Sequence, residues 1–249
     1  MNCSLGPRWR AGESTAGLWL SLGTPAVAEL AAESGADAIV LDAQHGLWER
    51  ATLEWAVRLA SPCPVLVRVA RNRPELIGAA LDAGAEGVIV PLVETAAEAA
   101  AAVAASRYPP DGERSGGGVR PLRDMKGYVE RSRSGTLVCV MIETATGLAN
   151  AAAIAATPGI DMVFIGAGDL SLSIGDDGAA LEHALETIRA ACAAAGVPCG
   201  IYTPHAEAAR ARARQGFRFV IAGDDVGLLR QGFAAARAAF VKKEESAHG

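Results

Sequence analysis

The sequence has few lysines and few cysteines, and each shortage excludes a class of chemistry. Its three lysines are Lys126, Lys242 and Lys243, and none of them stands in an apolar run that predicts a strand. Catalysis through a Schiff base needs a lysine that is desolvated in the core, so that route is excluded. The five cysteines are odd in number and include no CxxC pair. That pattern argues against a disulfide framework and against a structural zinc site.

The chain also lacks a long apolar run and an excess of positive charge. No apolar stretch reaches the ~18 residues of a membrane helix, and MNCSLGPRWR at the start has no apolar signal segment. The net charge is −5 at pH 7. It disfavours nucleic acid and anionic membranes as partners, because phosphate neutralisation supplies much of that affinity. We therefore expect a cytoplasmic protein that acts on a small-molecule substrate.

Short apolar runs alternate with longer alanine-rich stretches along the chain. The short runs predict buried strands and the longer stretches predict helices. Glycines follow several predicted helices and prolines begin two of them. Glycine is favoured just after the end of a helix and proline at its first position. The predicted strands span 16–22, 38–41, 65–69, 87–93, 137–142, 162–165, 199–202 and 217–222. The predicted helices span 25–34, 49–60, 74–83, 96–106, 147–156, 179–195, 206–215 and 226–240.

This alternation predicts an α/β fold, a single (β/α)8 TIM barrel that occupies residues 1–249 as one domain. A doubly wound sheet is the alternative, but it would need a glycine-rich phosphate turn after the first strand, and LSLGTPA is not one. Residues 108–134 form the longest irregular segment. We expect them to follow strand four on the active face as a lid or binding loop. Residues 241–249 are expected to be a charged, frayed tail.

Four polar residues stand at the ends of separate apolar runs. They are His45 in AIVLDAQHG, Arg68 in PVLVRVA, Glu143 in LVCVMIET and Asp169 in MVFIGAGDLS. Burying an unpaired carboxylate inside a strand would cost several kcal/mol, so each residue marks where its strand emerges. The carboxyl ends of barrel strands meet in one mouth. Two carboxylates, an arginine and a histidine there predict an Mg²⁺-like cation that holds a small anionic substrate.

Each of these residues also has a structural alternative. Glu143 and Asp169 could cap the helices that follow them. Arg68 could pair with Asp42 or Glu143, but we favour a bidentate grip on a substrate carboxylate, which would satisfy its charge as well. His45 has the titration range of a general base. His205, in TPHAEAA, is a weaker candidate on the same side of the barrel.

Several stretches resemble the HpcH/HpaI aldolase family of metal-dependent pyruvate aldolases, which includes 4-hydroxy-2-oxoheptanedioate and 2-dehydro-3-deoxyglucarate aldolases. They are GLWLSLGTPAVAELAAESGAD, VLDAQHG, VLVRV, LDAGAEGVIVPLVETAAEA, RYPPDGERSGG, VMIET, GIDMVFIGAGDLS and GFRFVIAGDDVGLL. They run in register from about residue 17 to 230. The resemblance implies a TIM barrel, a hexamer built as a trimer of dimers, and a divalent cation, with Mg²⁺ favoured and Mn²⁺ or Co²⁺ as alternatives.

The resemblance also implies roles for particular residues. The pyruvate enolate would be stabilised by the cation and by Arg68, the substrate carboxylate would meet backbone amides near Gly168 and Asp169, and His45 would act as a base through a water. Asp82 aligns with an acid that partners this histidine. Asp82 ends a helix at the opposite end of its own barrel, so it could act only across a subunit interface. The predicted sites are thus His45, Arg68, Asp82 and Asp42 as catalytic, Arg68, Gly168, Asp169 and Gln44 as substrate-binding, and Glu143 and Asp169 as metal ligands.

Three departures from the family pattern concern the acceptor and not the enolate chemistry. Gln44 stands where Asp-x-Glu-His is usual, Ala167 replaces a common proline, and the loop at 115–128 diverges. The leading hypothesis is a class II aldolase that joins or splits pyruvate and an aldehyde. Alternatives are an oxaloacetate-using decarboxylase or citrate-synthase-like enzyme of specialised metabolism, and a barrel that only senses a metabolite.

Overall fold

Runs of valine, isoleucine and leucine form the strands of a closed parallel barrel in the computed structural model, which describes residues 4–175 and 178–247 and side chains as far as residue 241. Each strand pairs in parallel with the next, and the last pairs with the first. The strands are β1 (Thr15–Leu20), β2 (Ala38–Asp42), β3 (Val65–Arg68), β4 (Gly87–Val90), β5 (Leu137–Ile142), β6 (Met162–Ile165), β7 (Cys199–Ile201) and β8 (Phe219–Asp224).

Helices follow the strands and cover the outside of the barrel. Pro25 and Pro74 occupy the first position of their helices, where a missing N–H group is tolerated. The helices are α1 (Leu5–Arg10), α2 (Pro25–Glu33), α3 (Arg50–Leu59), α4 (Pro74–Asp82), α5 (Ala96–Ser106), α6 (Met125–Gly135), α7 (Ala145–Ala149), α8 (Ala151–Ala155), α9 (Ala167–Ile174), α10 (Ala179–Ala195), α11 (Ala206–Arg214) and α12 (Asp225–Ala247). A 3₁₀ helix spans Pro121–Asp124.

The core has two layers, because successive side chains of a strand point to opposite faces. The outer layer packs strands against helices. The inner layer fills the barrel with large side chains such as Trp19, Phe164 and Phe219. Helix α1 completes this inner layer, since its Trp9 ring lies 5.4 Å from that of Phe219 and its Leu5 is fully buried. The described side chains thus fill the interior of the barrel, so a ligand would bind at an end of the barrel and not within it.

The predicted single TIM barrel is confirmed, and most element bounds agree to within a few residues. The predicted helix at 147–156 is instead the two short helices α7 and α8, which meet at Asn150, where the side-chain amide donates to the carbonyl of Glu94 at 2.8 Å. Helices α1, α6 and α9 were not predicted. Helices α1 and α9 have 6 and 8 residues, and helices this short form through tertiary packing more than through their own propensity. Helix α6 has no buried residue, so the sequence shows no apolar periodicity there.

The expected position of residues 108–134 is wrong. The segment follows helix α5, not strand β4, so it lies at the amino-terminal end of the barrel, opposite the mouth that its own strands form. Arg120 donates to the carbonyls of Ala83 and Glu54 there, and the hydroxyl of Tyr128 donates to the carbonyl of Leu81 at 2.7 Å. It also contains the 3₁₀ helix and α6. The segment cannot be a lid over the mouth of its own chain.

Helix α12 is exposed over most of its length. The tail that was expected to fray from 241 continues this helix to Ala247, and His248 and Gly249 lie outside the described residues. Side chains from Leu228 to Val241 are exposed, including Phe233 and Phe240. Within the described ranges, no helix is long and apolar enough to cross a bilayer.

Candidate active site

A cavity of about 390 Å³ opens at the carboxyl end of the barrel strands. Two larger grooves, each about 740 Å³, lie at the opposite end and collect surface side chains. The smaller cavity is where the predicted residues converge. Its lining comprises Trp19, Ser21, Asp42, His45, Arg68, Met141, Glu143, Gly166, Ala167, Gly168, Asp169, Leu172, Tyr202 and Asp224. Of the predicted site residues, only Gln44 and Asp82 are absent from this lining.

Glu143 is the most unusual carboxylate in the cavity. It follows β5, its side chain is 1% exposed, and its Oε1 accepts the N–H of Leu92 at 2.8 Å. Its Oε2 is buried without a hydrogen-bond partner. Burial raises the pKa of Glu143 to about 7, and the nearby negative charge of Asp169 acts in the same direction. A buried acceptor of this kind is rare and points to a missing ligand.

The backbone at two neighbours of the Glu143 carboxylate, Leu92 and Gly166, is unusual. Leu92, whose N–H group it accepts, has a φ of 56°, a left-handed conformation that costs about 1–2 kcal/mol outside glycine. On the other side, a Cβ atom at Gly166 would lie 2.5 Å from Oε2. Only glycine therefore leaves room at 166 for this oxygen, or for anything that binds it.

Glu143 and Asp169 form a pair of acids from adjacent strands. Both line the same cavity, Glu143 after β5 and Asp169 in the first turn of α9. Within the described residues, no cluster of three or more histidine, cysteine, aspartate or glutamate side chains could hold a metal ion. Two carboxylates could still hold a hard cation, provided that water and substrate supply its other ligands.

The capping alternative does not account for Glu143. Helix α7 is capped by Thr144, whose Oγ1 accepts the N–H of Gly147 at 3.0 Å. That hydroxyl donates in turn to the carboxylate of Glu94 at 2.7 Å. For α9, the residue at the cap is Gly166, without a side-chain hydrogen bond. Neither acid of the pair is occupied as a helix cap.

Asp42 and Arg68 form a buried bidentate ion pair. The Arg68 Nε and Nη2 atoms donate to the two Asp42 oxygens at 2.8 and 2.6 Å. Asp42 also accepts the indole N–H of Trp19 at 3.3 Å and the N–H groups of Gln44 and His45 at 3.0 and 3.2 Å. Burial alone would raise the pKa of Asp42, but the hydrogen bonds and charge of Arg68 outweigh it and lower that pKa. The acid therefore ties β3 to the turn that carries the histidine.

This pairing changes what Arg68 can offer a substrate. Asp42 accepts both hydrogen bonds from its bidentate edge. This pairing is one of the two structural alternatives that the sequence offered for Arg68. Among the described residues, Nη1 has no acceptor, and the guanidinium lies 4.8 Å from the centre of the Trp19 ring. Arg68 can thus give a single hydrogen bond and its charge to a ligand in the cavity, but not the predicted two-nitrogen grip.

His45 lies in the turn after β2, with its side chain exposed to the cavity. The Asp42 carboxylate accepts two successive N–H groups of this turn, a local arrangement that fixes the backbone. Gln44 points elsewhere, and its Oε1 is buried without a partner. His205 is not part of the cavity lining, since it caps α11 by accepting the N–H of Ala208 at 3.3 Å.

Asp82 ends α4 at the opposite end of the barrel, as predicted. It pairs with Arg114 at 2.8 Å, and that guanidinium also donates to the hydroxyl of Tyr128 at 3.2 Å. Arg114 is 3% exposed and packs over the rings of Tyr108 and Tyr128. Its Nε and Nη1 atoms have no partner. A buried arginine therefore orients Asp82 on a surface that its own mouth does not reach.

Several residues that line the mouth were missed by sequence reasoning, among them Trp19, Tyr202 and Asp224. Trp19 lies on β1, whereas Tyr202 and Asp224 stand at the ends of β7 and β8. The strand-end pattern that identified the other residues recurs in CGIYTP and VIAGDD and would have found the last two. Trp19 gives no such signal, because a tryptophan within an apolar run is typical of a core residue.

The match to known proteins follows the whole barrel. Residues 15–232 match the model of the family described as HpcH/HpaI aldolase/citrate lyase. The chain belongs to that family. A hydroxypyruvate/pyruvate aldolase of Chromohalobacter salexigens is 36% identical over 234 residues, which cover 88% of this chain and 91% of the relative. The family resemblance and an enzyme of the aldolase type, both predicted from the sequence, are confirmed.

Solved structures agree with the fold. An HpcH/HpaI aldolase/citrate lyase family protein from Burkholderia cenocepacia J2315 has a TM-score of 0.89 and 34% identity, over 96% of this chain and 98% of that one. The structure of citrate synthase SbnG has a TM-score of 0.85 and 31% identity, over 97% and 99% of the two chains. These similarities cover both the barrel and the cavity at its end.

Proposed function

We propose that this aldolase is metal-dependent and joins or splits a 2-oxo acid, pyruvate first of all, and an aldehyde. The observation that carries the proposal is the Oε2 atom of Glu143, a buried oxygen without a partner beside a second carboxylate. Such an atom is costly to keep unless a ligand completes it. The name of the Chromohalobacter salexigens relative, a hydroxypyruvate/pyruvate aldolase, supports a 2-oxo acid as donor.

Glu143 and Asp169 would hold the cation, with Mg²⁺ preferred and Mn²⁺ or Co²⁺ as alternatives. When bound, the cation supplies Lewis-acid stabilisation of the charge that develops on a 2-oxo acid as it becomes an enolate. The amides of Gly168 and Asp169 lie in the first turn of α9, where N–H groups have no partner in the helix. They can receive the substrate carboxylate.

Arg68 and His45 supply the remaining chemistry. Arg68 would place its free Nη1 on the keto oxygen, where negative charge accumulates. His45 would take the proton of the aldol hydroxyl through a water during cleavage and return it in synthesis. Asp42 acts as a positioning residue for both, because its oxygens hold the guanidinium and the turn. The substrate-binding role of Gln44 stays a prediction, since Gln44 does not line the cavity.

The test is proton–deuterium exchange at the methyl group of pyruvate, followed by NMR with Mg²⁺ or Mn²⁺ and then with EDTA. It requires no knowledge of the aldehyde. We expect exchange that depends on the metal and disappears in Glu143→Gln. Exchange that survives both chelation and that substitution would refute the proposal.

Asp82 would complete the mouth of a second subunit. Its orientation by a buried arginine at the far end of the barrel supports this role. A mixture of His45→Gln and Asp82→Asn chains tests it, because each variant carries the residue that the other lacks. If Asp82 acts across an interface, about one quarter of the mouths in a randomly mixed assembly regain both residues. No recovery of activity on mixing and reassembly would contradict it.

We further propose a homo-oligomer, a hexamer built as a trimer of dimers, in the cytoplasm. Helix α12 projects with its apolar side chains Phe233 and Phe240 exposed, and a second copy could cover them. Cys63, Cys139, Cys192 and Cys199 are all free thiols, which suits a reducing compartment. Analytical ultracentrifugation would test the assembly, and a monomer at micromolar concentration would contradict it.

A citrate-synthase-like reaction is the second candidate, and the likeness to the citrate synthase SbnG favours it. The same cation and Arg68 would serve, with oxaloacetate as a reactant. Turnover of oxaloacetate, but no exchange into pyruvate, would move the assignment to this reaction.

A further inference from the structure

The mouth contains an acid that the proposed chemistry does not use. Asp224, at the end of β8, is half-buried and lines the cavity. Its Oδ1 accepts the N–H of Gly227 at 2.8 Å and so caps α12. Among the described residues, its Oδ2 accepts a hydrogen bond from the hydroxyl of Tyr202 alone, at 3.4 Å. That is a long hydrogen bond, and a ligand could replace or share it.

Tyr202 and Asp224 form one wall of the cavity together with Trp19. The Tyr202 ring meets the Trp19 ring edge-on, with centroids 5.6 Å apart, and Trp19 and Asp224 are partners in the register of β1 and β8. Glu143 and Asp169 belong to β5 and β6. Around the barrel, the wall on β7, β8 and β1 therefore lies between β6, which Asp169 follows, and β2, which His45 follows. A second reactant held between Asp169 and His45 would contact it.

The charges of this wall are not balanced. Of the described residues that line the cavity, Arg68 carries the only guanidinium, and Asp42 already occupies two of its nitrogens. A cation on Glu143 and Asp169 would offset those two acids. Asp224 would remain as a negative charge with a phenol hydroxyl beside it and no cation of its own.

We propose that Tyr202 and Asp224 select the acceptor: they bind the hydroxyl groups of a short, neutral hydroxyaldehyde and disfavour an aldehyde that carries a carboxylate. A carboxylate oxygen is a strong acceptor for a substrate hydroxyl, and the phenol can both donate and accept. A second carboxylate on the acceptor would meet the charge of Asp224. This inference rests on the proposed aldol function and specifies the class of its second substrate.

The test compares two aldehydes of equal length, glycolaldehyde and glyoxylate, with pyruvate as donor. The measured quantity is the ratio of kcat/KM for glycolaldehyde to that for glyoxylate, in the wild type and in Asp224→Asn. Asparagine also caps helices, so the substitution keeps the start of α12. Comparing the two proteins cancels the different intrinsic reactivities of the aldehydes.

We expect Asp224→Asn to shift this ratio about tenfold toward glyoxylate, as for one charge removed from a partly open site. Tyr202→Phe should lower kcat/KM for glycolaldehyde more than for glyoxylate. Glu207→Gln, which removes an acid at the start of α11 outside the cavity lining, is the matched control and should leave the ratio unchanged. A ratio within twofold of wild type in Asp224→Asn, or an equal shift in the control, would overturn the inference. Wild-type protein without methyl exchange on pyruvate would instead refute the underlying aldol function.

Discussion

Replacing Glu143 with glutamine should stabilise the metal-free protein while it abolishes metal-dependent activity. Burial raises the pKa of this carboxyl from 4.5 to about 7. An acid whose pKa rises on folding binds its proton more tightly in the folded state. Its contribution to stability is complete below about pH 4.5 and declines as the pH rises through 7.

The magnitude follows from the size of the shift. The pKa of Glu143 rises from 4.5 to about 7. A shift of this size corresponds to about 3 kcal/mol of unfolding free energy, which the wild type loses above pH 8. Because the side chain is 1% exposed, solvent screening reduces this value little. Glutamine carries no charge at any pH. Its carbonyl can accept the N–H of Leu92, and its amide can donate to Asp169.

The assay is urea unfolding in EDTA at fixed protein concentration, for wild type and Glu143→Gln, between pH 5 and 8.5. The variant should match the wild type near pH 5 and exceed it by about 3 kcal/mol at pH 8.5. Glu29→Gln, which removes an exposed carboxylate outside the cavity lining, serves as the control. Saturating Mg²⁺ should then stabilise the wild type alone. A variant less stable than wild type at pH 8.5, or a difference independent of pH, would refute the reasoning.

Three further substitutions test other parts of the site. Asp42→Asn leaves the buried Arg68 charge without its partner and should lower the unfolding free energy by about 3–5 kcal/mol in urea; a loss below 1 kcal/mol would contradict it. Gly166→Ala places a Cβ 2.5 Å from Glu143 Oε2 and should weaken Mn²⁺ binding about tenfold or more by calorimetry, whereas unchanged affinity would argue against a cation there. His205→Ala removes only a helix cap and should lower stability by about 1 kcal/mol without changing pyruvate exchange; lost exchange would restore His205 as a functional candidate.

The barrel could be predicted from sequence because each strand is a short apolar run bounded by turns. The ends of those runs also identified His45, Arg68, Glu143 and Asp169, since a charge at the end of a buried strand must emerge or find a partner. What the pattern leaves open is the partner. Asp42 and Glu143 were equal alternatives for Arg68, and the bidentate pair with Asp42 follows from the register of β2 and β3, which sets Asp42 directly beside Arg68.

The position of the segment at 108–134 could not be predicted from its composition. Its glycines, prolines and charges predict an irregular loop, and its length suggested a lid. The end of the barrel at which a loop lies depends on whether it follows a strand or a helix, and α5 separates this one from β4. The hidden helix α6 presents no buried residue, so no apolar periodicity revealed it.

The charges of the cavity bear on two properties, the order in which cation and 2-oxo acid bind and the class of acceptor that is favoured. Of the described residues that line the cavity, Asp42, Glu143, Asp169 and Asp224 are acids, and Arg68 is the single guanidinium. With Asp42 and Arg68 paired, the remaining acids repel the carboxylate of a 2-oxo acid, and each charge at about 4 Å contributes roughly 1–4 kcal/mol. If Glu143 and Asp169 hold a divalent cation as proposed, the anion would bind favourably only after that cation has offset their charges. Asp224 then keeps a negative charge without a neutralising partner on the β8 side of the mouth. A neutral acceptor is repelled less by this charge than an anionic one.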